Sequence, residues 1–436
     1  MIKEFTNPIT GLKVYNKELS NGLNIYVVEN NVYFNKLNFS VDFGGGLKSY
    51  KNINGEDIKI KSGMAHLIEH LAFYTMEEEE LIPLQDYFDN YNVEANAATY
   101  CNATSYYITS NQFLLENQIA EKFISSILNP NYTDELIKNE LEVISAEKTT
   151  VVDKLDNGFE SVKEPANLLS ETLDYEINII GDLTKLSLAK KKEVYEVQKH
   201  QYIPKNTTIV YYLLEQEDKK WYKNTIAYLE KIYLESLPRD IILNNDISGL
   251  NLDNALKGKV EKFNDETEVD NDSKYDTAYG MLVNEPLEES EKRVVISNLI
   301  NSLLFNKYVL KDYNSQVDTV KEIETISLYS IQITINSTQI IEAEGYINKE
   351  SIKRYIEYVR NIEISKEQLT NAKRRLLSSY IEAFDFDEVD GITFFLTSKS
   401  TKNIFEQLEI LKNIDIEEFN KEKNKILELE KYIYFK

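Results

Sequence analysis

Ser62-Gly63-Met64-Ala65-His66-Leu67-Ile68-Glu69-His70-Leu71-Ala72-Phe73 holds two of the chain's three histidines. They stand four residues apart, with an acid between them. On a helix, positions i and i+4 share a face, about 5–6 Å apart, so both imidazoles can point at one ion. Glu69 borders the same face. Two neutral imidazoles and a neighbouring carboxylate are what a hydrolytic zinc site requires, the histidines as ligands and the acid as general base. The order H-x-x-E-H inverts the commoner H-E-x-x-H helix.

A third ligand has to come from elsewhere in the chain, leaving a position open for water. The stretch Asn139–Lys148, NELEVISAEK, offers it. Glu140 and Glu147 lie seven residues apart, two helical turns, and so share a face. Val143 and Ile144 between them read as the side that packs on a core. Glu147 is the candidate ligand. Glu140 sits one layer out, where it can orient a histidine or the water by hydrogen bonding.

This constellation resembles the insulinase, pitrilysin and mitochondrial-processing-peptidase family of inverted-motif zinc proteases. Seventy-six residues separate His70 from Glu147, which is the family's spacing. The resemblance implies His66, His70 and Glu147 as metal ligands, Glu69 as the catalytic base and Glu140 as the supporting acid. It implies Zn²⁺ as the cofactor. Asn96-Ala97-Ala98-Thr99 resembles the N-A-x-T edge strand along which the family holds its substrate, and the likeness extends more loosely to Ile180-Gly181-Asp182 and to Asn206–Leu213. It covers most of the first half and weakens in the second.

Family members present an Arg-x6-Tyr pair from a second domain, where it binds substrate and stabilises the oxyanion. The six arginines here are Arg239, Arg293, Arg354, Arg360, Arg374 and Arg375, and none is followed seven residues later by tyrosine. Lys307 and Lys311 lie where the pair would be expected, but lysine lacks arginine's planar fork. By resemblance to two-subunit relatives, the chain is expected to be the zinc-bearing subunit of a heterodimer whose sister supplies the Arg and Tyr. The competing arrangement is a homodimer with an altered oxyanion site. The expected function is a zinc-dependent endopeptidase acting on short or unfolded peptides, in precursor or leader processing or in peptide turnover. The alternative is a non-catalytic structural or binding subunit of the same family.

The composition sets outer bounds. The chain has 436 residues, 42% hydrophobic and 28% charged, an ordinary globular balance for two or three domains. Its net charge of −24 opposes a nucleic-acid or anionic-membrane partner. The acidity serves solubility, and would also attract cationic peptides. A single cysteine, Cys101, leaves no internal disulfide framework. No apolar run approaches transmembrane length and the first residues lack a signal-peptide core, so the expected compartment is the cytoplasm.

The expected fold is α/β (α+β): two related domains, each a largely antiparallel sheet with helices packed on it. The divisions fall at 1–238 for the zinc-bearing domain, 239–274 for an acidic linker and 275–436 for a second, diverged domain. In the first domain, Asn21-Gly22 turns into a strand ending near Glu29, and Lys36–Phe43 alternates as a second strand. Leu47–Lys61 reads as a loop, Ser62 as a helix cap and Glu77–Glu80 as a solvated acidic run. Leu81–Tyr91 reads as a helix, Val93–Ser110 as two strands broken near Cys101-Asn102, and Asn111–Leu128 as a helix. Thr133 opens the helix of Glu140 and Glu147. Lys190–Tyr202 reads as a helix bearing an exposed His200, Asn206–Leu214 as a strand and Lys219–Leu237 as a helix. In the second domain, strands are expected at Ala278–Val283, Glu324–Ile335 and Gln339–Ile347. Helices are expected at Lys292–Leu310, Lys349–Val359, Ser365–Phe384, Lys402–Lys412 and Ile416–Lys431. A Ser365…Gln368 capping box would open the third of these.

Overall fold

The computed structural model describes residues 1–6, 11, 13–30, 34–52, 54–100, 102–155, 179–214, 221–238, 278–282, 287–316, 323–333, 336–344, 349–386, 404–428 and 432–435. The described residues up to 238 form one compact unit and those from 278 form another. The acidic linker and Cys101 lie outside the described residues.

The first unit carries β1 (Lys3–Thr6), β2 (Lys13–Glu18), β3 (Asn24–Asn30) and β4 (Asn35–Val41). Two small hairpins follow, β5 (Ser49–Lys51) with β6 (Asp57–Lys59) and β7 (Tyr74–Glu77) with β8 (Glu80–Pro83). The last strands are β9 (Glu94–Thr99), β10 (Thr104–Ser110) and β11 (Thr207–Leu214). The main sheet runs β1-β2-β3-β11-β4-β10-β9. Only β3 and β11 pair in parallel; the other pairings are antiparallel. Leu37, Phe39 and Val41 of β4 are fully buried on one face, as alternation predicts. The polar residues opposite, Lys36, Asn38 and Ser40, are buried too, so this central strand is covered on both sides. Asn38 donates to Ser105 Oγ across the pair at 2.7 Å.

The helices of this unit are α1 (Met64–Leu71), α2 (Leu84–Asp89), α3 (Ile119–Leu128) and α4 (Asp134–Leu155). After them come α5 (Leu183–Leu186), α6 (Lys191–Gln201) and α7 (Trp221–Ser236). Met64, Ala65, Leu67, Ile68 and Leu71 bury the apolar side of α1 in the core that the sheet and helices share. An eight-residue helix is too short to persist alone, so its place is imposed by what packs on it. At its start Gly63 takes a left-handed φ of +87°, which a side chain adopts at a cost of about 1–2 kcal/mol. A Cβ at Gly63 would lie 2.4 Å from the Ile180 carbonyl oxygen, and one at Gly181 would lie 2.3 Å from Gly63 N. Two glycines thus let the 180–182 loop press on the first turn of α1. Asp182 then caps α5 by accepting from Thr184 N and Lys185 N.

Several local expectations are corrected. Gly63, not Ser62, occupies the cap of α1, without a side-chain cap bond. The stretch from 47 to 61 contains the β5–β6 hairpin rather than loop alone. The acids 77–80 are a solvated run as expected, Glu78 to Glu80 being exposed, and they form the turn of the β7–β8 hairpin, with Glu78 and Glu79 both at positive φ, 46° and 73°. That is the backbone a two-residue hairpin turn demands, more often met by Asn-Gly. The helix expected from 111 begins only at Ile119, because Asn117 and Gln118 take left-handed turns. Thr133 does open α4, its Oγ1 accepting from Leu136 N at 2.9 Å. Ile144 is buried but Val143 is 46% exposed, so only one of the pair faces the core.

In the second unit β12 (Ala278–Leu282), β13 (Thr325–Ile333), β14 (Asn336–Glu344) and β15 (Tyr432–Phe435) form an antiparallel sheet in the order β13-β14-β12-β15. The expected helix 292–310 is two helices, Leu287–Leu303 and Lys307–Gln316. Asn306 divides them, its Oδ1 accepting from Tyr308 N and Val309 N. The Ser365…Gln368 capping box forms reciprocally. The second unit thus has the expected antiparallel sheet and helices, with β15 unforeseen because the last helix ends at Ile426 rather than Lys431.

Two substitutions test these local arguments. Gly63→Ala is expected to lower the melting temperature, through left-handed strain and the contact with Ile180, as read by thermal denaturation. Replacing Glu78-Glu79 by Asn-Gly is expected to stabilise the chain by about 1 kcal/mol, since both positions then accept positive φ; urea denaturation measures it.

Candidate metal centre

α1 and α4 meet face to face, and the five acids and histidines singled out above converge between them. His66 Nε2 and His70 Nε2 lie 3.3 Å apart. Glu147 Oε2 lies 3.6 Å from the first and 3.4 Å from the second. His66, His70 and Glu147 are the one group of three or more potential ligands among the described residues whose ligand atoms all fall within 4.8 Å of one another. Two imidazole nitrogens and a carboxylate oxygen form a donor set that suits zinc with a position left for water. The histidine side chains are only 13% and 14% exposed, whereas that of Glu147 is 43% exposed, so the site opens to solvent on the Glu147 side.

Glu140 is buried one turn pair before Glu147, as its spacing foretells. Its Oε2 accepts from His70 Nδ1 at 3.0 Å, which leaves Nε2 of that ring as the lone-pair nitrogen facing Glu147. Its Oε1 accepts from the Tyr74 hydroxyl at 2.6 Å. Glu69 is buried on the neighbouring side of α1. Thr99, at the end of β9, donates to it from both hydroxyl and backbone N–H.

Burial and neighbours set the charges. Burial holds His66 low, to a pKa of about 4, with His70 adding to the effect. Burial also opposes the charged form of His70, but Glu140, Glu147 and Glu69 outweigh it and raise its pKa above the usual histidine value. Burial raises Glu69 above the usual carboxylate range, partly offset by the hydrogen bonds from Thr99. For Glu140, burial pushes upward, yet the hydrogen bonds from His70 and Tyr74 bring its pKa below the usual value. Tyr74 is pushed up to about 12, first by burial and then by Glu140, so its hydroxyl stays a donor at neutral pH.

β9 is the outer strand of the main sheet, paired only with β10 among the described residues. Asn96, Ala97, Ala98 and Thr99 therefore lie on an open edge ending at Glu69. Ala97 N–H donates to the Asn96 side chain at 2.8 Å and Ala95 N–H to Gln85 Oε1 at 3.1 Å. These amides turn away from β10, as alternation along an antiparallel strand requires.

His200 does not join the cluster. It is buried rather than exposed, its Nδ1 donating to the Glu196 carbonyl at 2.7 Å and its ring 4.9 Å from Tyr50. The sequence reading missed Tyr74, which lies beyond the end of α1 where helical spacing no longer applies. It named Thr99 for its strand but not for its hydroxyl. It also missed Lys148, whose Nζ donates to the Gly181 carbonyl at 3.0 Å and ties the turn of Glu147 to the 180–182 loop.

The helix pair, the candidate ligand cluster and the open edge strand have the arrangement that the H-x-x-E-H motif predicts. Residues 56–177 match the model of the insulinase family, peptidase family M16. That segment, which carries all five site residues, belongs to this family, and the whole chain has the family's fold. No curated protein sequence matches it significantly. Among solved structures, a protease from Helicobacter pylori is similar at 15% identity and a TM-score of 0.67, covering 97% of this chain and 98% of its own. An M16-like peptidase from Alicyclobacillus acidocaldarius is similar at 14% and 0.66, covering 99% and 98%. An inactive M16 peptidase domain from Pseudomonas fluorescens is similar at 11% and 0.63, covering 100% and 97%. At such identities the likeness concerns the fold alone, so the case for chemistry rests on the residues of this chain.

Zinc titration of the metal-stripped chain is expected to reach one ion per chain. Glu147→Ala is expected to weaken that binding strongly, since it removes the only oxygen donor of the cluster; metal analysis after gel filtration reads both.

Proposed function

We propose that the chain is a zinc-dependent endopeptidase of short or unfolded peptides. The observation that carries this reading is the convergence of His66, His70 and Glu147 beside a buried Glu69 that is bonded to the end of an open strand edge. When bound, zinc supplies Lewis-acid polarisation of the scissile carbonyl and of the attacking water. His66 and His70 would hold it with Glu147, and Glu140 keeps His70 in the tautomer that can do so.

Glu69 takes the proton of the water and delivers it to the leaving amine. Its raised pKa makes it a stronger base near neutral pH than an exposed carboxylate. Thr99 fixes its orientation. An extended peptide adds to β9 as a further strand, its carbonyls replacing the side chains of Asn96 and Gln85 on the outward amides. This mode selects extended backbone more than sequence, which suits precursor or leader processing and peptide turnover alike.

The absence of any Arg-x6-Tyr pair in the sequence supports a heterodimer in which a sister chain supplies the oxyanion partners. A chain with one cysteine has no use for an oxidising compartment to fold, and we assign it to the cytoplasm. Among the described residues no helix is long and apolar enough to cross a membrane.

A mixed peptide library, offered to the zinc-loaded chain with and without its sister, tests this. Cleavage should need both chains, and Glu69→Gln should lower it about 10²–10⁴-fold while zinc stays bound. An unchanged rate in Glu69→Gln would refute hydrolysis at this site, and full activity of the lone chain would refute the obligate partner. Thr99→Val gives a second check. Loss of its hydroxyl bond removes stabilisation of the Glu69 carboxylate, so the Glu69 pKa rises further. Because the base must be unprotonated, the acidic limb of the kcat/KM profile should move to higher pH.

A further inference from the structure

The hydroxyl of Tyr74 has no part in the reaction just described, yet it touches the machinery. Tyr74 opens β7, three residues beyond the end of α1. Through Glu140, which accepts from Tyr74 on Oε1 and from His70 on Oε2, it completes an unbroken chain from hydroxyl to imidazole. We propose that Tyr74 is a positioning residue of the metal centre, its hydroxyl locking Glu140 and, through Glu140, the ring of His70. The proposal rests on the metal-binding reading of His66, His70 and Glu147.

Three observations carry it. First, the Glu140 side chain is only 8% exposed. A buried carboxylate needs hydrogen-bond donors on both oxygens to offset its lost hydration, and among the described residues Tyr74 and His70 are the two it has. Without the hydroxyl, Glu140 could turn toward other partners and release the His70 ring.

Second, the two histidines are unequally held. His66 Nδ1 is buried with no hydrogen-bond partner among the described residues. The orientation of the imidazole pair therefore depends on the His70 arm, and that arm ends at Tyr74.

Third, Tyr74 is fixed by elements other than the two metal helices. It pairs with Pro83 in the β7–β8 hairpin, and Leu84 N donates to the neighbouring Phe73 carbonyl at 2.8 Å. Farther along, Lys122 of α3 donates to the Met76 carbonyl at 3.0 Å and to Glu77 at 2.8 Å. The hydroxyl thus reaches Glu140 from a separately anchored strand, which gives the α1–α4 seam a third support.

The test uses the full chain stripped of metal. The zinc dissociation constant is measured by competition with a chromophoric chelator for the wild type, Tyr74→Phe, Glu140→Gln and the double variant. The visible spectrum of each cobalt form is recorded, together with metal-free melting curves. Tyr74→Phe keeps the ring and removes only the hydroxyl. It is expected to weaken zinc about tenfold, about 1.4 kcal/mol, to shift the cobalt bands, and to lower the metal-free melting temperature by a few degrees, as one unpaired buried acceptor does, with the chain still folded. Because Tyr74 acts through Glu140, the double variant should bind zinc no more weakly than Glu140→Gln. Unchanged affinity in Tyr74→Phe, strictly additive losses, or a Tyr74→Phe chain that unfolds would each overturn the proposal and leave the metal site standing. A wild type that binds no zinc would overturn the metal-binding reading itself.

Discussion

The bond between His70 and Glu140 is the constraint on which the rest of the site depends. It joins an eight-residue helix to a twenty-two-residue one. The shorter cannot hold its own shape in water, so the longer supplies the reference frame. Once His70 is tied, Glu147 falls opposite both imidazoles because it stands two turns beyond Glu140. Glu69, one residue before His70, is turned toward the end of the edge strand. Around this seam the core does conventional work: Leu67, Ile68 and Leu71 bury one side of α1 while Ile137 and Ile144 bury one side of α4. The polar contacts choose the register, and the apolar ones supply most of the free energy that holds it.

The loop at 180–182 braces the same arrangement from outside. Gly63 and Gly181 bring two backbones together where any side chain would intervene. Lys148 binds the Gly181 carbonyl one residue after Glu147. The start of α1 and the Glu147-bearing turn of α4 therefore lean on one short segment. A change in that segment would alter both halves of the candidate ligand cluster together.

Much of the site was legible because its logic is periodic. A spacing of four places His66 and His70 on one face, and a spacing of seven does the same for Glu140 and Glu147. The structure brings all four together as those intervals require, with Glu69 beside them. What could not be read were contacts without a period. Tyr74 meets Glu140 from a strand past the helix end, and the Thr99 hydroxyl finds Glu69 across the edge of a sheet. His200 reads as a surface residue on a polar helix, yet Tyr50 from a distant hairpin covers it. Strand order was equally hidden: β3 and β11 lie side by side in parallel although nearly 180 residues separate them. The start of α3 was misplaced because Asn117 and Gln118 take up left-handed backbone just ahead of it.

The outward amides of β9 carry a consequence for the chain's behaviour at high concentration. An unpaired strand edge is a template on which a second molecule can build, and sheets with such edges tend to self-associate. Here the side chains of Asn96 and Gln85 already occupy the Ala97 and Ala95 amides. A colliding copy would have to break these bonds before forming its own, and it would gain little by the exchange. The two amides thus act as a removable cover: they keep identical edges from zipping together while leaving the strand open to a visitor whose side chains also find a fit.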